Sequence, residues 1–176
     1  MSKMLSGRRN VLEVGCGDGF CARVVRQEVA ALTITDYDPL FIQDIESRAV
    51  ERWPISAKTH DMLAGPMPGS FDAAYSLDVL EHIPKAQEDI FIDNIKASLT
   101  PNGILIVGMP SLESQVYASP PSKEGHINCK TGADFKLVME KHFENVFLFS
   151  MNDEIVHTGY AKMAHYLLAI CCTKKT

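Results

Sequence analysis

Short apolar runs alternate along this chain with segments whose apolar residues recur three and four positions apart. Such alternation predicts parallel strands connected by helices that pack on a sheet. The apolar runs predict seven strands, at residues 11–14, 32–35, 55–60, 71–77, 104–109, 146–151 and 165–172. The periodic segments predict helices at residues 20–30, 41–52, 87–99 and 133–142.

The last two predicted strands are joined by a polar loop, NDEIVHTGYAK, that is too short for a crossover helix. This favours an antiparallel pair at one end of a mixed sheet. One long irregular connection, residues 110–131, contains two consecutive prolines and a glycine, and we predict that it is a substrate lid. A length of 176 residues favours a single domain that spans residues 1–176.

Composition narrows the function classes. A net charge of -5 does not favour binding to a negatively charged phosphate backbone, so nucleic acid is a poor candidate partner. The five cysteines form neither a disulfide framework nor a metal-ligand spacing, so we expect no metal site and a reducing, cytoplasmic location. No apolar run is long enough to cross a bilayer, so membrane insertion is not expected.

A glycine-rich turn follows the first predicted strand. Gly15, Gly17 and Gly19 alternate with other residues, which lets the backbone turn sharply and approach a nucleotide-like ligand. A dinucleotide fingerprint would have Gly or Ala where Phe20 stands, so a nicotinamide-dependent oxidoreductase is a weaker alternative. Asp36 follows the second strand at roughly the 20-residue offset where a carboxylate can accept both hydrogen bonds of a ribose diol. Its alternative role is a turn or helix cap, for which Asp38 is better placed.

Polar turns also follow the third and fourth predicted strands, where a ligand over the carboxyl ends of the sheet would be touched. Asp61 could accept a hydrogen bond from an adenine amino group while Met62 covers the ring. The alternative for Asp61 is an exposed loop carboxylate next to a turn. Ser76 and Leu77 occupy the corresponding place after the fourth strand.

Five segments, VLEVGCGDG, TDYDP, HDM, FDAAYSLDVLEHIP and LTPNGILIVGMPS, resemble the successive motifs of class I S-adenosylmethionine (AdoMet)-dependent methyltransferases. The likeness is greatest to the small-molecule branch that includes the ubiquinone-biosynthesis methyltransferases. The resemblance implies an α/β three-layer sandwich with a Rossmann-like, seven-stranded mixed sheet and a reversed C-terminal hairpin. It also implies AdoMet as the methyl donor and S-adenosylhomocysteine as the product.

The resemblance assigns roles by motif. Gly15 and Gly17 would face the methionyl part of the cofactor, Glu13 would help to hold its amino group, and Asp36 would hold the ribose. The adenine would be framed by Tyr37, Asp61 and Met62. The expected cofactor-binding set comprises Glu13, Gly15, Cys16, Gly17, Asp36, Tyr37, Asp61, Met62, Ser76 and Leu77.

The acceptor is expected to be a small molecule that is methylated on oxygen or nitrogen, and a sugar or glycolipid is one candidate. A hydroxyl acceptor would benefit from a general base, for which His82 and His126 are the candidates. Each histidine could instead be a satisfied structural group or a surface residue. A catalytically inactive protein that uses the fold to bind a partner is the alternative function.

Relatives commonly carry a helical N-terminal segment over the acceptor pocket, whereas only about ten residues precede the first predicted strand here. Three explanations stay open at the level of sequence. The chain is shortened, the 110–131 segment supplies the lid, or a second subunit of a homodimer covers the site.

Overall fold

A computed structural model describes residues 1–153 and 155–175, and its centre is a twisted mixed sheet. Among these residues the sheet has eight strands in the order β3-β2-β1-β4-β5-β8-β6-β7. The strands are β1 (Asn10–Val14), β2 (Ala31–Asp36), β3 (Ser56–Thr59), β4 (Phe71–Leu77), β5 (Leu99–Pro110), β6 (Phe143–Asn152), β7 (Ile155–His157) and β8 (Tyr166–Lys174).

The first five strands run parallel to one another, and β8 is inserted antiparallel between β5 and β6. The predicted mixed sheet with a reversed C-terminal hairpin is therefore confirmed. The prediction of seven strands is one short, because three residues of the polar loop pair with the exposed edge of β6 as β7. The strand order reverses between β1 and β4, and such a reversal opens a ligand-binding crevice at the carboxyl ends of the strands.

Helices cover both faces of this sheet. They are α1 (Ala22–Arg26), α2 (Pro39–Ser47), α3 (Glu88–Ser98), α4 (Pro120–Gly125) and α5 (Gly132–His142). Side-chain caps set the starts of α2 and α5, because Asp38 accepts the N–H of Leu40 before α2 and Thr131 accepts the N–H of Asp134 before α5. The helices predicted at 87–99 and 133–142 are confirmed to within one residue.

Two predicted helices are longer than the observed ones. The prediction of 20–30 is wrong at both ends, since α1 has only five residues. Beyond α1 the backbone pairs with the N-terminal segment, where the Glu28 carbonyl accepts the N–H of Gly7 and the Ala30 N–H donates to Arg8. The prediction of 41–52 also extends too far, because α2 ends at Ser47 with Arg48 outside helical geometry.

The 110–131 segment is more regular than its sequence indicates. It contains a 3₁₀ helix at Glu113–Tyr117 and the short helix α4, so the expectation of a wholly irregular connection is wrong. Ser119 caps α4, since its hydroxyl accepts the N–H of Ser122, and two prolines follow at the first helical positions, where Pro is tolerated.

The two ends of this segment are held beside each other. Ser111 and Lys130 form an isolated parallel bridge. The ammonium of Lys130 lies 2.6 Å from a carboxylate oxygen of Glu88 on α3, and it donates to the Oδ1 of Asn128 at 2.8 Å. Both charged side chains are buried, so removal of either would leave the other uncompensated. The segment is thus a loop with a closed and anchored base.

The hydrophobic core has one part on each face of the sheet, as a three-layer architecture requires. The part under α3 and α5 includes Phe91, Ile95, Phe135 and Met139. The part under α1 includes Leu5, Val25, Leu32 and Ile34. Within the described residues, no helix has both the length and the apolar composition that crossing a bilayer requires.

We expect Phe135→Ala to lower the free energy of unfolding by about 3–5 kcal/mol, because it removes a fully buried aromatic ring and leaves a cavity in the core. Leu137 is the matched control, since it lies on the same helix with 61% of its surface exposed. Urea unfolding should show Leu137→Ala within about 0.5 kcal/mol of the unmodified chain. An equal decrease in the free energy of unfolding in the two variants would contradict the placement of Phe135 in the core.

Candidate functional site

The turn after β1 depends on two glycines. Gly15 has a φ of 75°, and a Cβ atom at that position would lie 2.3 Å from a Cγ atom of Val79. Any side chain at residue 15 would therefore clash with the turn that follows β4. Gly17 has a φ of 51°, but open space lies where its Cβ would stand. The first glycine permits close packing, and the second leaves an uncovered backbone that a ligand can approach.

Asp36, at the end of β2, is buried and holds this turn in place. One of its carboxylate oxygens accepts the Gly17 N–H at 2.9 Å, and the other accepts the Asp38 N–H at 3.0 Å. The turn role considered from sequence is thus present, while Asp38 caps α2. The ribose role of Asp36 stays a prediction.

Glu13 lies on β1 directly beside Tyr75 of β4. The Tyr75 hydroxyl donates a hydrogen bond of 2.6 Å to its carboxyl group. Burial raises the pKa of Glu13 to about 7, and the bond from Tyr75 offsets only part of that rise. A carboxyl group in this state would gain from a nearby ligand cation, because a cation stabilises its ionised form.

A cavity of about 310 Å³ opens at the carboxyl ends of β1 and β2. Five members of the predicted cofactor-binding set line it, namely Gly15, Asp36, Tyr37, Asp61 and Met62. His82 also lines this cavity, so one of the two predicted catalytic histidines borders the same space. The structure does not place Glu13, Cys16, Gly17, Ser76 or Leu77 in the cavity wall.

The lining residues differ in what they offer a ligand. Tyr37 is 76% exposed, so its ring is free to cover a bound group. Met62 is buried in the core and presents only part of its side chain. The carboxylate of Asp61 accepts the N–H of Leu63 at 2.9 Å in a local turn. Ser76 is buried, and its hydroxyl donates to the Val14 carbonyl, which ties β4 to β1.

His82 and His126 lie together, although 43 residues separate their positions in the sequence. Their rings meet edge to face, with centroids 5.1 Å apart and planes inclined by 68°. The 110–131 segment brings them together, because the Gly125 carbonyl lies 2.9 Å from Nδ1 of His82. The side chain of Gln115 lies 2.8 Å from Nδ1 of His126.

Glu81 is a candidate functional residue that the sequence analysis missed. Its side chain is fully buried in the 3₁₀ turn after β4, and neither carboxylate oxygen has a hydrogen-bond partner in the described structure. Burial raises its pKa to about 7, and the charge of Asp78 adds to the rise. The only sequence signal is the adjacency of an acidic residue and a histidine in LDVLEHIP, just after a buried strand.

Glu81, His82 and His126 each present one potential metal-ligand atom, and these atoms lie within 4.8 Å of one another. The expectation of no metal site was based on ligand spacing along the chain, which cannot detect a histidine supplied by a distant loop. Among the described residues, this group has the spacing that a cation site needs.

A larger cavity of about 840 Å³ lies elsewhere, beside α1 and α2. Its wall includes Arg23, Arg48, Arg52 and Trp53. The guanidinium groups of Arg23 and Arg48 already donate to backbone carbonyls at 2.8 and 2.7 Å. None of the predicted cofactor residues lies in its wall, so the smaller cavity is the candidate site despite its size.

A family model described as a methyltransferase domain matches residues 11–103. This match covers more than half of the chain, so the protein belongs to the methyltransferase-domain family, and the predicted relationship to class I AdoMet-dependent methyltransferases is confirmed. One curated relative is the ubiquinone biosynthesis O-methyltransferase of Xanthomonas campestris pv. campestris (strain B100), with 32% identity over 83 residues. That alignment covers 46% of this chain and 34% of the relative, so the chain spans about a third of that relative's length.

Solved structures show the same fold. The N-methyltransferase NodS from Bradyrhizobium japonicum WM9, in complex with S-adenosyl-L-homocysteine, matches with a TM-score of 0.71 and 22% identity. The match covers 98% of this chain and 81% of NodS. The methyltransferase domain of bacterial CtHen1-C matches with a TM-score of 0.78 and 16% identity, over 99% and 95% of the two chains. At these identities the likeness concerns the fold alone.

The raised pKa of Glu13 makes stability depend on pH. Between pH 4.5 and about 7 the native state holds a proton that the unfolded chain releases, so this group lowers the free energy of unfolding as pH rises. We expect Glu13→Gln, which can still accept the bond from Tyr75, to show a shallower fall over that window. One proton accounts for at most about 1.4 kcal/mol per pH unit.

Glu144→Gln is the control for this measurement, because Glu144 is exposed on β6. Denaturant unfolding at several pH values between 4.5 and 7.5 checks the expectation. The pKa of Glu81 is raised in the same direction, so its contribution to the pH dependence of the free energy of unfolding should persist in both variants. Identical slopes in Glu13→Gln and the unmodified chain would contradict the assignment to Glu13.

Proposed function

We propose that this protein binds AdoMet over the carboxyl ends of β1 and β2 and transfers its methyl group to an oxygen or nitrogen of a small molecule. The observation that carries the proposal is the junction of the glycine turn with Asp36, which opens directly on the 310 Å³ cavity. The match to the methyltransferase-domain model and the curated relative named as an O-methyltransferase support the same activity.

The hydrogen bonds of Asp36 leave room for a ribose. A carboxylate offers about four lone-pair sites, and two backbone N–H groups occupy only two of them. The remaining two can accept the hydroxyls of a ribose diol without loss of the turn. Tyr37, Asp61 and Met62 then lie around the same cavity where an adenine would be placed.

The other end of the cofactor would lie towards the uncovered backbone of Gly17 and the carboxyl group of Glu13. A ligand ammonium close to Glu13 would favour the ionised carboxylate, and Tyr75 would continue to orient it through its hydroxyl. Cys16, Ser76 and Leu77 do not line the cavity, so contacts from them to the cofactor would require small rearrangements.

The donor supplies an electrophilic methyl group when bound, so the chain mainly has to align the acceptor and exclude water. His82 borders the donor cavity, and the ring of His126 packs against the ring of His82. Either Nε2 atom can therefore accept the acceptor's proton. The 110–131 segment, which carries His126, is the proposed lid over the acceptor.

The acceptor class and the setting of the reaction extend this proposal. A hydroxyl-bearing small molecule, with a sugar or glycolipid among the candidates, suits a site in which His82 borders the donor cavity and His126 packs against His82. A cytoplasmic location and a homodimer in which a second subunit helps to cover the acceptor stay predictions.

A label-transfer experiment tests the activity. The protein is incubated with methyl-labelled AdoMet and separate small-molecule, glycan and protein fractions. We expect label to enter a small-molecule or glycan pool. Cofactor binding without transfer to any pool would favour the alternative of an inactive binding protein, and label in the protein fraction alone would overturn the small-molecule assignment.

We expect Asp36→Ala to weaken binding of S-adenosylhomocysteine by about 1.5–3 kcal/mol, because it removes a charged hydrogen-bond acceptor. Asp38→Ala is the control, since it removes the cap of α2 and should lower stability by about 1 kcal/mol with affinity retained. Isothermal titration calorimetry and ligand-induced thermal shifts check both variants. NADH should produce no shift; unchanged affinity in Asp36→Ala would remove Asp36 from the site.

A further inference from the structure

The buried carboxylate of Glu81 is an unexplained feature of the chain. It is fully buried, and neither of its oxygens has a hydrogen-bond partner in the described structure. A carboxylate in this position is costly unless a cation or hydrogen-bond donors compensate it. Glu81 is not among the residues that line the proposed donor cavity, so the methyl donor does not account for it.

Among the described residues, each of the two neighbouring histidines has a hydrogen-bond partner on Nδ1 and none on Nε2. His82 has Nδ1 next to the Gly125 carbonyl, which can only accept, so Nδ1 carries the proton and donates. The amide nitrogen of Gln115 donates to the Ser111 carbonyl, which leaves its oxygen to accept from Nδ1 of His126. In both rings the neutral form therefore has its lone pair on Nε2.

This pattern is the one that prepares histidines for metal binding. A ligating histidine commonly donates its other ring N–H to a carbonyl or a carboxylate, which fixes the tautomer and the orientation of the ring. The Gly125 carbonyl and the Gln115 side chain supply that support here. The edge-to-face contact between the rings restricts both side chains further.

The distances also suit one ion. Nε2 of His82 lies 4.0 Å from a carboxylate oxygen of Glu81, and the ligand atoms of all three residues lie within 4.8 Å of one another. Ligands bound at about 2.0–2.2 Å to one transition metal ion lie roughly 3–4 Å apart. Small side-chain rotations are enough to close the remaining gap.

We propose that Glu81, His82 and His126 bind one divalent transition metal ion through a carboxylate oxygen and two imidazole Nε2 atoms. Two imidazoles and a carboxylate are typical ligands of Mn²⁺, Fe²⁺, Co²⁺ and Zn²⁺ and unlike the all-oxygen shells of Mg²⁺ and Ca²⁺. Three protein ligands leave coordination positions open. Because His126 belongs to the 110–131 segment, the ion would also fasten that segment to the turn after β4.

An acceptor could occupy one of the open coordination positions of the ion, and this step rests on the proposed function. His82 borders the donor cavity, so an acceptor hydroxyl on the ion would lie beside the methyl donor. An ion held by Glu81, His82 and His126 would lower the pKa of that hydroxyl, and the proton would pass to solvent. The oxygen lone pair would then form the bond to the methyl carbon, while the carbon–sulfur bond would break with its electron pair on sulfur.

In this arrangement His82 and His126 are metal ligands, and their Nε2 lone pairs are not available for general-base catalysis. The two roles are mutually exclusive, so direct measurement of metal binding distinguishes them.

Cobalt titration tests the site without any acceptor. The purified chain is treated with chelator, the chelator is removed, and Co²⁺ is added while visible absorption and calorimetric heat are recorded. We expect saturable binding of one Co²⁺ per chain, with d–d bands that report nitrogen and oxygen ligands, and displacement by Zn²⁺. Absence of saturable one-to-one binding would overturn the proposal.

Variants assign the ligands. We expect Glu81→Gln and His126→Ala each to weaken Co²⁺ binding at least tenfold, whereas the control His157→Ala, on the outer strand β7, should bind as the unmodified chain does. His126 is partly exposed at the C-terminal end of α4, so His126→Ala decides the question if Glu81→Gln does not fold. Equal Co²⁺ affinity in His126→Ala and the unmodified chain would contradict the site.

Binding of S-adenosylhomocysteine in the same samples separates this inference from the proposed function. Retained nucleoside binding in His126→Ala shows that the variant is folded. A chain that binds the nucleoside but not Co²⁺ refutes the metal site alone. A chain that binds Co²⁺ at these residues but transfers no methyl group refutes the proposed function and leaves the metal site supported.

Discussion

The carboxylate of Asp36 accepts the backbone N–H groups of Gly17 and Asp38, and these two bonds connect the turn after β1 to the end of β2. They act together with the N–H groups of Gly15 and Cys16, which donate to the Thr35 carbonyl, to fix the glycine turn above the sheet. The charged acceptor makes both bonds stronger than those between neutral groups. The cavity wall is therefore built before any ligand arrives, which reduces the ordering that binding requires.

The second half of the site is positioned by different contacts. Gly15 packs against Val79, so the turn after β1 and the turn after β4 cannot move independently. The Asn128 N–H donates to the Glu81 carbonyl, which joins the 110–131 segment to the same turn. The short turn after β4 thus contacts the glycine turn on one side and the 110–131 segment on the other.

Local sequence features account for most of the fold. The parallel strands other than β3 contain apolar runs, and the starts of α2 and α5 follow from Asp38 and Thr131. The early end of α1 depends on backbone pairing with residues far away in sequence, and β7 exists only because β6 offers an open edge. For the same reason the sequence indicated the glycine turn and Asp36 but not Glu81, whose surroundings arise from packing against the 110–131 segment.

The bridge between Ser111 and Lys130 closes the base of that segment, and the buried pair of Lys130 and Glu88 fastens it to α3. Because both ends of the loop are held in this way, its length and composition can vary while its end points stay fixed. Substitutions and insertions between these anchor points would therefore leave undisturbed the strands that carry the glycine turn and Asp36. The same two anchor points mark where an engineer could graft a loop from another methyltransferase.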